Sequence, residues 1–180
     1  MTPITYLVGD ATRPQVEGPG VIAHVCNDAG KWGAGFTGAL SKRWPFVERH
    51  YREWYRKDAV IRPFGLGAVQ FIPIVTHGDA GIDAFGFVAN MIAQRGVGTD
   101  RVCVDYPSLR QCLERVASFA LGLAPVRSSL VYSVHMPRIG CGLAGGSWDE
   151  VEPLLVETLR AKDVPVFVYD LPTERGRHRP

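Results

Sequence analysis

Along the chain, hydrophobic residues gather in short runs separated by polar stretches rich in glycine and proline. Six runs of β-branched and aromatic residues, at 4–8, 21–26, 68–74, 85–91, 130–136 and 164–169, predict strands bounded by Gly, Pro or Asp. Several are almost continuously apolar instead of alternating, as a sheet covered on both faces requires. Between these runs the apolar spacing changes to three and four. In PFVERHYREWY, Pro45 suits a first helical position, and Phe46, Val47, His50, Tyr51, Trp54 and Tyr55 share one face. In PSLRQCLERVASFALGL, Leu109, Cys112, Leu113, Val116 and Ala120 align, and Gly122 is a plausible stop. A further helix is expected near 147–159, with Val151, Leu154, Leu155, Thr158 and Leu159 facing inward. Ser147 with Glu150 has capping-box spacing, while Asp149 with Glu152 offers a start two residues later. Under either register Pro153 is tolerable only close to the first turn. Strands alternating with helices predict an α/β protein with helices packed on both faces of one sheet.

Composition narrows this picture. With 180 residues, 46% hydrophobic and 21% charged, the chain supports one substantial core, expected as a single domain over 1–172. PTERGRHRP after Leu171 is polar and basic, and 173–180 is expected to be a disordered tail. HGDAGIDA and GVGTDRVCVD are expected flexible loops. A net charge of +2, spread over scattered basic residues, is too mild to argue for duplex nucleic acid. Cys26, Cys103, Cys112 and Cys141 form no CxxC pair and no Cys/His cluster, so no metal site and no disulfide framework is expected. The N-terminus lacks a charged segment followed by a long apolar run, and no eighteen consecutive residues are apolar. A cytoplasmic protein without membrane contact, and a monomer, is the expectation.

Two junctions carry candidate chemistry. In HMPRIGCGLAGGSWDEV, an apolar run passes through Gly140, Gly142, Gly145 and Gly146 into a helix. Earlier, VIAHVCN passes through DAGKWGAGF into TGALSKRW, which begins another helix. Glycine lets a ligand approach the backbone closely, and the first amides of a helix lack internal partners at the positive end of its dipole, so an anion is the expected guest. Two such loops at one sheet edge suit a diphosphate better than a single phosphate. Neither is a P-loop, since GxxxxGK[ST] is absent. GxGxxG does occur at Gly140, Gly142 and Gly145, but near the last strand and not in an opening βαβ unit.

Taken together, ITYLVGDAT, HVCNDAGKWGAGF, MPRIGCGLAGGSW and the terminal VYDL resemble the macrodomain family, the ADP-ribose-binding module, over nearly all of the chain. The pattern is most similar to the branch containing the terminal ADP-ribose protein glycohydrolase and the yeast ADP-ribose-1''-phosphate phosphatase. The resemblance implies a three-layer α/β/α fold around a mixed, roughly six-stranded sheet. It further implies that Asp10 accepts from the adenine amino group beside Gly9 and Ala11, and that Tyr169 lies against the adenine. Gly33, Ala34, Gly35 and Phe36 would wrap the distal ribose, with Asn27 and Asn90 near it. Ile139, Gly140, Cys141, Gly142, Leu143 and Ala144 would present amides to the phosphates. From residue type alone, Asp10 also reads as a turn residue and Tyr169 as an ordinary strand aromatic. Arg138, ahead of the glycines, reads as a phosphate partner or as one half of a structural pair, the second being favoured.

The resemblance also says where the chemistry departs. The glycohydrolase relative has a lysine near the end of the fourth strand and an aspartate inside the second glycine loop, and the matching positions here are Gln94 and Ala144. A glutamine is not a nucleophilic amine, so a covalent lysine route does not carry over. Gln94, Asn27 and His24 are left as catalytic candidates, His24 reading equally as a satisfied core histidine. The expectation is a hydrolase that removes mono-ADP-ribose from ester-linked Glu or Asp, or from nucleic acid as modified acceptor, by positioning a water and without a cofactor. ADP-ribose-1''-phosphate dephosphorylation and non-catalytic reading of ADP-ribose stand as alternatives. Lys31, Trp32, Arg95 and Arg101 are expected near the cleft mouth, where solvated loop charge is one reading and contact with an acidic acceptor another.

Overall fold

A computed structural model describes residues 3–16, 18–56, 63–77, 83–98, 100–123 and 132–172. Along the chain run β1 (Thr5–Val8), β2 (Gly20–Asn27), α1 (Phe36–Arg43), α2 (Pro45–Arg56), β3 (Val69–His77), β4 (Asp83–Gln94), α3 (Tyr106–Gly122), β5 (Ser133–Pro137), α4 (Trp148–Thr158) and β6 (Val166–Asp170). The six strands form one mixed sheet in the order β1-β6-β5-β2-β4-β3. Every neighbouring pair is parallel except β3 with β4, which is antiparallel. The α/β architecture expected from the hydrophobic pattern is therefore the observed one. The tail at 173–180, the middle of HGDAGIDA and residues 130–131 of the fifth predicted strand lie outside the described residues.

β2 lies inside the sheet, between β5 and β4, and explains its own sequence. Alternate side chains go to opposite faces of a strand. Val21 and Ala23 join Ala89, Met91 and Ala93 of β4 beneath α3 and α4, through Leu109, Leu113, Val116, Val151 and Leu155. Ile22 faces the other way, with Ile72, Ile74 and Val88, against Leu40 of α1, Val47 of α2 and Trp44 between them. Cys26 and Ile92 continue that second face against Tyr51 and Trp54. Both faces are dry, which is why the run shows no polar alternation.

Helix starts follow local chemistry. Asp105 caps α3, its side chain accepting from Ser108 N at 3.0 Å, with Pro107 in the first turn where its missing N–H costs nothing. α4 takes the earlier of the two expected registers: Ser147 is the cap, its Oγ accepting from Asp149 N at 3.3 Å, and Pro153 falls inside the helix. No helix among the described residues is long and apolar enough to cross a membrane.

Parallel strands carry their carboxyl ends to one edge. The segments after β1, β2, β4, β5 and β6 therefore converge there, so residues far apart in sequence become neighbours. Asp105→Ala, which removes the α3 cap and the partner of Arg95 (2.7 Å), is expected to lower stability by about 1–2 kcal/mol, measured as a shift in urea midpoint at unchanged slope.

Candidate functional site

A cleft of about 780 Å³ opens at that edge. Of the residues expected to form a site, Gly9, Asp10 and Ala11 after β1, His24 and Asn27 on β2, Ala34, Gly35 and Phe36 after it, Gln94 ending β4, Ile139, Gly140, Gly142, Leu143 and Ala144 after β5, and Tyr169 on β6 all line it. Gly33, Asn90 and Cys141 do not. Asn90 is fully buried on β4 and opposes His24 in the β2–β4 register. Its amide is spent inside the protein, which corrects its placement beside a distal ribose.

The two glycine loops face each other. A Cβ on Gly35 would sit 3.6 Å from Leu143 Cδ1. Gly35 begins α1 at φ 60° and ψ −134°, a conformation glycine adopts without strain, and no side chain caps the amides that follow. In the second loop Gly146 N donates to Gly140 O (2.8 Å) and Gly145 N to Gly142 O (3.0 Å), folding the segment into a tight arch. A Cβ on Gly146 would lie 2.7 Å from Gly140 O and 2.6 Å from Val104 Cγ1, so the arch closes only around glycine. The amides of Gly142, Leu143 and Ala144 have no acceptor among the described residues. The cleft thus presents neutral donors from both sides, a nest suited to an anion.

Asn27 holds the first loop. Its Oδ1 accepts from Ala29 N (3.1 Å) and Lys31 N (2.9 Å), its Nδ2 donates to Lys31 O (2.7 Å), and the buried Tyr51 hydroxyl donates to its carbonyl (2.6 Å). Gln94 ends β4 opposite Asn27 across a bulge, and its Nε2 donates to Gly96 O (3.0 Å). Asp10 Oδ1 accepts from Thr12 N (2.8 Å), so its turn reading and its place in the cleft hold together.

His24 is a partnered core residue that also floors the cleft. The backbone carbonyl of His50 can only accept, so Gln70 Nε2 donates to it (3.1 Å) and Gln70 Oε1 accepts from Asn90 Nδ2 (3.0 Å). Asn90 Oδ1, 2.5 Å from His24 Nε2, must then accept, and the imidazole is neutral with its proton on Nε2. Burial lowers its pKa to about 4, partly offset by Asn90. Trp32 and Phe36 pack on its ring at centroid distances of 5.5 and 5.8 Å. A second buried chain joins Ser133 Oγ to His135 Nε2 (2.7 Å) and His135 Nδ1 to the Tyr169 hydroxyl (3.0 Å), which also accepts from Gln15 N (3.1 Å). Burial lowers His135 to about 4 as well. Tyr169 therefore has its hydroxyl engaged inside the fold while the residue lines the cleft.

Arg138 is structural. Its Nε and Nη2 grip Asp170 at 2.6 and 2.9 Å, and its guanidinium lies between Tyr6 and Trp148 at 5.3 and 5.0 Å from the ring centroids. Arg95 is likewise paired, with Asp105. The segment 96–105, expected to be a flexible loop, is anchored at its end: Cys103 N and Val104 N donate to Ala144 O at 2.8 and 3.2 Å, and Arg95 N donates to Cys103 O. It buttresses the second glycine loop and adds Val97 and Gly98 to the cleft wall. Sequence reasoning missed these two because no motif or periodicity marks them. Among the described residues no group of three or more His, Cys, Asp or Glu is placed to hold a metal.

No family model matches the chain. It is 46% identical to a macrodomain protein from Streptomyces coelicolor, whose structure superposes with a TM-score of 0.74 over 93% of this chain and 99% of that one. It is 31% identical, over 98% of its length, to the mouse chromodomain-helicase-DNA-binding protein 1-like, of which it spans only 19%. It is 27% identical to an ADP-ribose 1''-phosphate phosphatase from Meyerozyma guilliermondii, over 86% of this chain and 93% of that protein.

The two buried histidines make stability pH-dependent. Unfolded histidine takes a proton near pH 6.5, whereas the folded sites do so only at about 4. The unfolded state then binds more protons throughout that window, so stability is full above pH 6.5 and falls as pH drops towards 4, by about 1.4 kcal/mol per pH unit per histidine. Urea midpoints between pH 7 and 5 are expected to show this slope, and His135→Gln to remove roughly half of it.

Proposed function

The chain belongs to the macrodomain family, and on that basis we propose that its cleft binds ADP-ribose and hydrolyses the bond between the distal ribose of mono-ADP-ribose and a modified acceptor. The carrying observation is the pair of facing loops with uncapped backbone amides. Neutral amides at a helix start and in a glycine arch bind a diphosphate through many short dipoles. The strand order β1-β6-β5-β2 separates Asp10 from Asn27 by three strand spacings, roughly 14 Å, a reach that asks for an elongated ligand. Asp10 then meets the adenine amino group, Tyr169 lies against the base, the loops take the phosphates, and Asn27 and Gln94 face the distal ribose.

In this reading a water adds to C1'' as the C1''–O bond to the acceptor breaks. The acceptor leaves as a carboxylate, the water oxygen becomes the ribose hydroxyl, and the surplus proton passes to solvent. Gln94, with Nε2 held by Gly96 O, uses its Oε1 to orient the water. Asn27 acts by holding the loop, its amide being occupied there. His24 is neutral at pH 7 and tied to Asn90, which favours a structural part for it. An ester to a carboxylate is an activated substrate, so positioning supplies much of the rate. The likeness to an ADP-ribose 1''-phosphate phosphatase over nearly that protein's whole length favours a second reading, in which the same cleft releases phosphate from the 1'' position.

The test incubates the protein with glutamate-linked mono-ADP-ribosylated protein and, separately, with ADP-ribose 1''-phosphate, following free ADP-ribose and inorganic phosphate. Gln94→Ala is expected to slow ADP-ribose release roughly tenfold or more while ADP-ribose binding by calorimetry is kept. Asn27→Ala is expected to lower both binding and melting temperature. Gly142→Glu, whose Cβ meets nothing within 4 Å, is expected to keep the fold and lose binding by placing a carboxylate among the amides. Phosphate release alone selects the second reading, and binding without either product selects a non-catalytic reader.

A further inference from the structure

Among the described residues six titratable side chains line the cleft: Asp10, His24, Cys26, Lys31, Arg138 and Tyr169. Burial keeps His24 neutral and holds Cys26 and Tyr169 protonated. The charge of Arg138 is met by Asp170 through two hydrogen bonds. One carboxylate and one free cation remain, and they sit at opposite ends. Asp10 follows β1 and Lys31 follows β2, three strands away in the sheet order.

Lys31 is placed with care. Asn27 grips it from both sides, accepting from its N at 2.9 Å and donating to its O at 2.7 Å, so its backbone is fixed while its side chain is exposed. Among the described residues its ammonium has no ion-pair partner. Asp28, the carboxylate nearest in sequence, is engaged by Gly96 N at 2.6 Å. The neighbouring Trp32 is locked by Nε1 donating to Ser41 Oγ (2.7 Å), which donates to Glu48 (2.9 Å). The register of Asn27 with Gln94 puts this loop beside the end of β4.

We propose that the distal end of the cleft is a subsite for an anionic leaving group and that Lys31 is its cation. The inference rests on the ADP-ribose reading above and adds what the amide loops do not explain. The phosphates are served by neutral donors, so a free cation at the far end does nothing for them. The distal ribose of ADP-ribose ends in a neutral hydroxyl, and Lys31 gains little from it either. A group leaving from C1'' as a carboxylate or a phosphate does carry negative charge, and that charge grows on the departing oxygen as the C1''–O bond breaks or, for a phosphate, sits there from the start. A cation at this spot meets no charge on the bound ester and growing charge in its transition state, so it accelerates ester cleavage, whereas for a phosphate it meets charge already present in the substrate and acts through substrate binding. Protein carboxylates and a phosphate monoester share this chemistry, and the experiment separates them.

The measurement compares wild type with Lys31→Ala and Lys31→Glu. ADP-ribose affinity by calorimetry is expected to stay within about twofold, showing that the cleft is intact. Affinity for ADP-ribose 1''-phosphate, by competition, is expected to fall about tenfold in Lys31→Ala and further in Lys31→Glu. Release of ADP-ribose from glutamate-linked protein is expected to slow by a similar factor if the leaving group is a carboxylate, and release of phosphate if it is a phosphate. An affinity ratio between the two compounds and turnover rates that are unchanged in both variants overturn the subsite. Failure of wild-type protein to bind ADP-ribose at all overturns the reading beneath it.

Discussion

The carboxamide of Asn27 is the joint on which the site depends. It stands at the carboxyl end of a strand buried on both faces, and its three hydrogen bonds to Ala29 and Lys31 turn the chain out of the sheet. Tyr51 of α2 reaches the same residue from the covering helix, so sheet, helix layer and loop meet at one side chain. What the loop then presents is backbone amide and a few fixed groups. An aspartate at this position would lose the donor to Lys31 O, and an alanine would leave the part-buried amides of Ala29 and Lys31 without their acceptor.

The remainder of the cleft is built on the same economy. The second glycine arch is stiffened from outside, by Val104 against Gly146 and by two amides converging on Ala144 O, so that its inner amides need no partner of their own. Arg138, the cation closest to that arch in sequence, is held by Asp170 and two aromatic rings. With its charge met there, the arch itself offers dipoles, which bind an anion without the long-range attraction a free guanidinium would exert on every anion in solution.

The fold was legible in the sequence because a doubly covered sheet forces near-continuous apolar runs, and β2, β4 and β6 obey that constraint at almost every position. The glycine loops were legible because a chain that must expose its amides has few residues to choose from. Partner choice across the sheet was not. That His24 bonds Asn90, that Asn90 bonds Gln70, and that the chain ends on the carbonyl of His50 depends on the β2–β4 and β3–β4 registers, which no local pattern records. Asn90 looked like a ligand-facing amide for the same reason. The anchoring of 96–105 was hidden too, since its contacts are backbone bonds to Ala144, forty residues on.

One part of that hidden network was within reach. In β2 the alternation of Val21 and Ala23 against Ile22 assigns His24 to the face of α1 and α2, the side on which Trp32 and Phe36 must close the first loop. A histidine there is neutral because it is dry, and its tautomer is fixed from a distance by a carbonyl that can only accept. Such a ring is a poor shuttle, since its Nε2 proton is already given to Asn90 and a second proton, on Nδ1, would charge a ring packed against indole and phenyl. In the proposed hydrolase the chemistry then falls to Gln94 at the strand end and to Lys31 in the loop after Asn27. A proposed site with no base at its floor acts on a bond already prone to break, which makes the leaving group, more than the nucleophile, the feature that selects the substrate.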